Sequence, residues 1–206
     1  MFFYICIIIL YIPLFIIYPT RVIGKKNLPK KGKCLFVTNH QTVNDPVIIA
    51  YKLIKRRFRY MAKKELFKNK LFGAMLKGFG AYPVDNKSST DLTAIKTTIK
   101  YLNEDKAVCI FPEGTRVDSD NNQFKHGVAM LALRTKTPVI PACFVKRTYA
   151  FRFNKLIVGK PIYLHEMEQF KDKKADKELL EQATEIINHG IYDLKTEYEN
   201  KKNKKK

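Results

Sequence analysis

Short apolar runs alternate with amphipathic segments along most of this chain. The run 34–38 (CLFVT) is almost continuously apolar, which is typical of a strand in a sheet that is covered on both faces. The segment 88–103 instead repeats apolar residues at helical spacing and predicts an amphipathic helix. We therefore predict an α/β domain with a mixed, largely parallel sheet covered by helices.

The same patterns assign the individual elements. The predicted strands are 34–38, 57–61, 81–84, 106–111, 139–145 and 156–158. The predicted helices begin at Asp45 and cover 65–78, 88–103, 127–134 and 175–198. The Asp45-Pro46 pair is typical of a helix start, with the aspartate as the N-cap and the proline in the first turn.

Residues 1–20 contain no charged side chain. Twenty helical residues reach about 30 Å, the thickness of one hydrocarbon core. Because Pro13 disrupts a helix, two arrangements fit: one kinked span, or two short segments that enter a single leaflet. A buried core helix is the alternative. We predict a membrane anchor at 1–20, a folded domain at 21–198 on the cytoplasmic face, and a basic tail at 199–206.

The net charge of the chain is +20, from 39 Lys+Arg and 19 Asp+Glu, and all of these charges follow residue 20. A basic domain beside an apolar terminus predicts an anionic membrane surface as a partner. Nucleic acid is the competing partner, but the chain has no nucleic-acid-binding motif, so none is expected. The lysine-rich residues 201–206 predict a disordered end.

The string N-H-Q-T-V-N-D-P at 39–46 offers a base and a carboxylate. On an ideal helix His40 and Asp45 would lie about 140° apart and would not meet. They can meet if His40 lies in the turn after the strand and Asp45 at the start of the following helix. The carboxylate would then fix the imidazole tautomer, which leaves the other ring nitrogen free to accept a proton. The alternatives are a helix-capping aspartate and a loop histidine without a function.

A second string, F-P-E-G-T-R at 111–116, follows another predicted strand. Ligands commonly bind at strand ends in α/β sheets. Gly114 permits a close backbone approach, and the guanidinium of Arg116 suits a phosphate group. Lys125 lies just before a predicted helix, whose N-terminus attracts anions. The alternative is a surface turn with an exposed arginine.

Together with G-A-Y-P-V-D at 80–85 and T-P-V-I-P at 137–141, these strings resemble the 1-acylglycerol-3-phosphate acyltransferase family over about residues 20–165. The resemblance implies a glycerolphosphate acyltransferase-like fold. It implies that His40 is the catalytic base and Asp45 its orienting acid. It also assigns acceptor binding to a block that contains Glu113, Gly114, Thr115 and Arg116.

The resemblance further implies that Lys125 assists Arg116 at the acceptor phosphate. The family commonly has an arginine where this chain has Asn86, and Lys87 is the expected replacement. The implied reaction is direct acyl transfer from CoA or acyl carrier protein to lysophosphatidic acid, with no cofactor and no metal. A sister acyltransferase with another acceptor and a non-catalytic lipid-binding protein are the alternatives.

Overall fold

The computed structural model describes residues 2–85, 91–113, 126–171, 173 and 176–204. Within these residues, seven strands form a single sheet. The strands are β1 (Thr20–Ile23), β2 (Cys34–Thr38), β3 (Phe58–Lys63), β4 (Ala81–Val84), β5 (Ala107–Ile110), β6 (Val139–Phe144) and β7 (Asn154–Val158). Their order across the sheet is β1-β7-β6-β2-β5-β3-β4.

The sheet is mixed and largely parallel, as predicted. Strand β2 is central and pairs in parallel with β5 on one side and β6 on the other, and β5 continues through β3 to β4 in the same sense. Strand β7 pairs antiparallel with β6, and β1 pairs in parallel with β7. Because parallel neighbours need long crossovers, the connections around β2 have room for helices.

Helices lie on both faces of the sheet. They are α1 (Phe2–Ile17), α2 (Asp45–Lys52), α3 (Lys70–Gly78), α4 (Leu92–Asn103), α5 (Gly127–Thr135) and α6 (Lys177–Asn203). Phe36 of β2 belongs to the core cluster that contains the apolar residues of α2, whereas its neighbour Leu35 belongs to the cluster with α4, α5 and α6. Both side chains are fully buried, so the apolar pattern of β2 reflects burial on its two faces.

The structure differs from the prediction in one helix and in one additional strand. The predicted helix 65–78 is divided into a 3₁₀ turn, Lys64–Phe67, and α3. Asn69 separates them because its side chain accepts the backbone N–H of Phe72 at 3.0 Å and caps α3. Strand β1 was not predicted; it pairs with β7 along the edge of the sheet.

The apolar N-terminus forms one helix, α1, which continues through Pro13 without a break. Among the described residues, no helix is both long and apolar enough to cross a membrane, so the expected span is not met. The expected pair of short segments is not found either. Leu14 packs against the core, and the ring of Tyr11 meets that of Tyr51 of α2 edge to face at 6.0 Å. Helix α1 is therefore attached to the folded domain by these contacts.

The C-terminal tail also differs from its prediction. Helix α6 continues to Asn203, so the disorder expected for 201–206 is wrong at least for its first three residues. Lys201 pairs with Glu197 one helical turn earlier at 3.3 Å. An ion pair between residues four positions apart supports a helix and offsets the repulsion between neighbouring lysines.

Candidate active site

The site lies where three neighbouring parallel strands end. Strands β6, β2 and β5 are adjacent and run in the same direction, so their C-terminal ends share one edge of the sheet. His40 follows β2, Glu113 follows β5 and Thr148 follows β6. The carboxyl edge of a parallel sheet is the usual ligand site of α/β proteins.

His40 and Asp45 meet across the turn between β2 and α2. The Nδ1 atom of His40 lies 3.1 Å from Oδ2 of Asp45, as the sequence predicted. The predicted capping role of Asp45 is wrong, since α2 begins at Asp45 itself and Asn44 occupies the N-cap position without a side-chain cap. The carboxylate turns back toward the preceding loop instead of toward its own helix.

The carboxylate of Asp45 is completely buried and is surrounded by donors. Its Oδ2 accepts the backbone N–H groups of Gln41 at 2.7 Å and Thr42 at 2.8 Å. Its Oδ1 accepts the hydroxyls of Thr42 at 2.9 Å and Thr148 at 2.7 Å. These donors fix the position of both oxygens before any ligand arrives.

The hydrogen bonds decide the charge of Asp45. Burial alone would raise the pKa of this carboxyl, but hydrogen bonds from His40, Thr42, Thr148 and Gln41 outweigh burial and hold the pKa below its usual range. An ionised carboxylate accepts a hydrogen bond from the Nδ1–H group of His40. That tautomer leaves Nε2 unprotonated and able to act as a base.

The ring of His40 is also held by Phe111, whose ring stacks on it with centroids 4.1 Å apart and planes 28° apart. The side chain of His40 is 18% exposed. In the described part of the chain, Nε2 has no hydrogen-bond partner. The ring of His40 is thus oriented by Asp45 and Phe111 and is partly exposed.

Glu113 joins the second motif to the first. Its Oε2 accepts the backbone N–H of His40 at 3.1 Å, so the loop after β5 is tied to the loop after β2. Burial, together with the nearby charge of Asp45, raises the pKa of Glu113 to about 7, although the His40 N–H opposes this shift. Near neutral pH the carboxyl group of Glu113 is therefore partly protonated, while Asp45 stays ionised.

Asn39 connects the site to β6 and was missed as a functional residue. Its Nδ2 donates to the carbonyl of Phe144 at 3.1 Å, and its Oδ1 accepts the N–H of Phe144 at 2.8 Å. The side-chain amide extends the pairing of β2 with β6 by one position, which fixes the backbone just before His40. Its place beside His40 in the first string was the available signal.

Thr42, Phe111 and Thr148 were also not predicted. Thr42 lies within the first string and Phe111 begins the second, so both were open to recognition. Thr148 lies 103 residues from Asp45, and no pattern in the sequence connects the two.

Several predicted binding residues lie outside the described part of the chain: Gly114, Thr115, Arg116, Lys125, Asn86 and Lys87. Their roles at the acceptor stay predictions. The string G-A-Y-P-V-D at 80–85 contains β4, and Gly80, which precedes the strand, has a φ of 93°. A Cβ at Gly80 would lie 2.7 Å from the carbonyl oxygen of Phe58, so a glycine is required.

Among the described residues, no group of three or more His, Cys, Asp or Glu side chains could hold a metal.

An oriented histidine beside a buried, ionised carboxylate, set at the carboxyl edge of a parallel sheet, defines an α/β enzyme equipped for acid–base chemistry. Comparison with known proteins gives the family. The family model described as Acyltransferase matches residues 19–145, and the chain belongs to this family. The protein is therefore an acyltransferase.

Two relatives and one solved structure extend the comparison. The 1-acyl-sn-glycerol-3-phosphate acyltransferase of Bacillus subtilis is 34% identical over 179 residues, which cover 84% of this chain and 87% of the relative. The enzyme of the same name from Borreliella burgdorferi is 30% identical over 173 residues, with coverages of 82% and 69%. The crystal structure of the 1-acyl-sn-glycerophosphate (LPA) acyltransferase PlsC from Thermotoga maritima is similar at a TM-score of 0.63 and 24% identity, over 85% of this chain and 72% of that one. This last likeness supports the fold.

Proposed function

We propose that this acyltransferase moves a fatty acyl group from a thioester of acyl carrier protein or CoA to the free sn-2 hydroxyl of 1-acylglycerol-3-phosphate, which gives phosphatidic acid. The observation that carries the proposal is the pairing of His40 with the ionised, fully buried Asp45. The names of the two relatives support the choice of acceptor.

In the proposed reaction, Nε2 of His40 takes the proton of the acceptor hydroxyl while its oxygen attacks the thioester carbonyl. A C–O bond forms, the C–S bond breaks, and the proton passes from the imidazolium to the leaving thiolate. The negative charge of Asp45, 3.1 Å from Nδ1, stabilises the imidazolium between these two events. The step uses the thioester as a substrate and needs neither a metal nor a cofactor.

The acceptor phosphate is proposed to bind beside the loop after β5. Glu113 ties the start of this loop to the backbone of His40, and this contact is what supports placing the acceptor there. Arg116 is the proposed main contact, and Lys125 and Lys87 are the proposed helpers. Glu113, Gly114 and Thr115 are proposed to shape the backbone of this block.

We also propose that the enzyme works at an anionic membrane surface, with the folded domain on the cytoplasmic face. The net charge of +20 favours such a surface. Helix α1 adds exposed apolar side chains, of which Ile9 and Ile12 are about 70% and 69% exposed. This is a surface contact and does not require α1 to cross the membrane.

The test is an acyl-transfer assay on the purified full chain. The acceptors are lysophosphatidic acid, glycerol 3-phosphate and a neutral lysophospholipid, and the donors are acyl-CoA and acyl carrier protein thioesters. We expect lysophosphatidic acid to be preferred. A preference for glycerol 3-phosphate or for another lysophospholipid would assign a sister activity, and transfer to none of them would point to a lipid-binding protein.

The base is tested in the same assay with His40→Ala. We expect the rate to fall at least about a thousandfold, because general-base catalysis and substrate orientation are both lost. His165→Ala is the matched control, since its side chain is similarly exposed at 22% and lies in the 3₁₀ turn Leu164–Glu166, away from the site. Full activity of the His40 variant would contradict the mechanism.

A further inference from the structure

The loop between β6 and β7 exposes three aromatic side chains. We define the β6–β7 loop as residues 146–153, with the sequence K-R-T-Y-A-F-R-F. Tyr149, Phe151 and Phe153 are 49%, 73% and 67% exposed. Single exposed apolar residues are common on proteins, but a contiguous group of large ones marks a surface that another molecule covers.

Three cations lie next to these aromatic residues in the same loop. Lys146, Arg147 and Arg152 belong to the same loop, which contains no acidic residue. The guanidinium of Arg152 lies 5.5 Å from the centre of the Tyr149 ring. Aromatic rings that enter the boundary of a lipid layer, beside cations that meet its phosphates, are the composition of membrane-interface segments.

The exposed shape of the loop is held by hydrogen bonds. Phe151 adopts a φ of 56°, in the left-handed region that a residue with a side chain seldom occupies. Its N–H donates to the carbonyl of Ile17, at the end of α1, at 2.6 Å. The side chain of Asn154 bonds the backbone of Tyr149 and Arg152 across the base of the loop. The backbone is thus held in a conformation that keeps the aromatic rings in solvent.

The loop is joined to the end of α1 by a backbone hydrogen bond. Because Phe151 bonds to Ile17, the loop lies beside Ile16, which is 60% exposed and follows the exposed Ile12 by one helical turn. Two segments that are distant in the sequence, each with exposed apolar side chains, are therefore connected at this point.

The same loop reaches the active site. Thr148 is buried between the exposed Arg147 and Tyr149, and its hydroxyl donates to Oδ1 of Asp45 at 2.7 Å. A surface that contacts this loop is consequently one residue away from a donor to the carboxylate that orients His40.

We propose that the β6–β7 loop is a lipid-contacting loop that seats the His40–Asp45 pair against an anionic membrane surface. The cations of the loop favour binding to an anionic lipid layer over a neutral one. The exposed apolar side chains of α1 add to the contact area. The inference rests on the function proposed above, in which the acceptor is a lipid. It adds which part of the domain meets that lipid surface.

The chain has no tryptophan, so one introduced tryptophan reports on its own site. Phe153→Trp places the probe in the loop. Tyr163→Trp is the matched control, because Tyr163 is 42% exposed and follows Ile162, which bridges to the opposite end of β6 at Val139. The full-length variants are mixed with vesicles of phosphatidylcholine with and without phosphatidylglycerol, and binding is verified by sedimentation.

We expect the emission of the loop probe to shift to the blue on anionic vesicles and to be quenched by brominated lipids, while the control probe changes little. Absence of quenching at 153 in vesicle-bound protein, or absence of vesicle binding, overturns the proposal. A shift caused by acyl carrier protein without lipid assigns the loop to that protein and also overturns it. This readout needs no acyl transfer, so it stands whether or not the proposed reaction is correct.

A second experiment measures function. The double variant Phe151→Ala/Phe153→Ala should raise the KM for an acceptor presented in anionic vesicles about tenfold, and Arg152→Gln about fivefold. Neither change should alter transfer to a short-chain acceptor that is monomeric in solution. An equal loss with both acceptors means a structural defect and sinks the proposal, and an unchanged KM on vesicles does so too.

Discussion

Two carboxyl groups of the active site, the fully buried Asp45 and the partly buried Glu113, have opposite pKa shifts. Asp45 accepts hydrogen bonds at both oxygens from the turn before α2 and from the β6–β7 loop. Glu113 accepts the His40 N–H at 3.1 Å, and burial dominates its pKa. The difference shows that hydrogen-bond donors, and not depth of burial alone, decide which of the two carboxyl groups remains charged.

This division assigns different roles. The group with a lowered pKa can stabilise a cation on His40 throughout the reaction. The group with a pKa raised to about 7 holds a backbone in place and changes its charge close to neutral pH. The predictions below test each half of this comparison, starting from the largest expected effect.

Replacement of Asp45 by asparagine should lower kcat about a thousandfold or more. The amide would keep the approximate shape, but it removes the charge that fixes the His40 tautomer and stabilises the imidazolium. Steady-state kinetics and circular dichroism measure activity and folding. Asp193→Asn is the control, because Asp193 is an exposed residue of α6. A folded Asp45 variant with near-normal kcat would remove the distinction between the two carboxyls.

Replacement of Thr148 by valine should lower kcat/KM about tenfold, which corresponds to about 1.4 kcal/mol. The change removes the donor to Oδ1 of Asp45 and leaves that buried atom with one hydroxyl fewer. Thr148→Ser keeps the hydroxyl and should restore activity. The pH–rate profile separates positioning from packing. Loss of the hydroxyl should raise the pKa of Asp45 and move the acidic limb of the valine profile to higher pH. A packing defect would instead lower the rate evenly at all pH values.

Replacement of Glu113 by glutamine should change the pH dependence of stability by about 1 kcal/mol, a figure reduced for partial exposure to water. The folded pKa of about 7 lies above the usual 4.5, so the native state binds this proton more tightly. The contribution of this proton to the free energy of unfolding is complete below pH 4.5 and is lost as the pH rises through 7. Wild type should therefore lose stability relative to the variant across this interval.

Chemical denaturation of both proteins at pH 4.5, 6, 7 and 8 measures the Glu113 effect as a difference, so that other titrating groups cancel. Glutamine keeps an oxygen that can accept the His40 N–H, and catalysis should fall only a few-fold. A difference in stability that does not vary with pH would mean that Glu113 titrates normally.

The sequence was informative where local chemistry decides the structure. The apolar pattern of β2 predicted burial on both faces, and the spacing of His40 and Asp45 predicted a contact across the turn. The capping role of Asp45 was wrong because a nearby imidazole and two backbone N–H groups compete for the same oxygen. Local preference for a helix cap lost to these contacts.

Contacts between residues that are distant in the chain could not be predicted from the sequence. The short edge strand β1 gains its pairing only when β7 lies beside it. The donor Thr148 and the pKa of Glu113 depend on which strands are neighbours, and sheet order leaves no trace in spacing. The exposed aromatic residues of the β6–β7 loop likewise appear as unremarkable β-forming residues until their burial is known.

The amide bridge from Asn39 to Phe144 has a consequence for the order of folding. The residue before the base is fixed by a strand that begins a hundred positions later in the chain, and Asp45 takes a hydroxyl from the loop beyond that strand. Contacts of such long separation carry the entropic cost of closing the intervening chain. During synthesis, these two distant contacts are available only after residues 144 and 148 have been added to the chain, so the loop that holds His40 has its full set of partners only from that length onward.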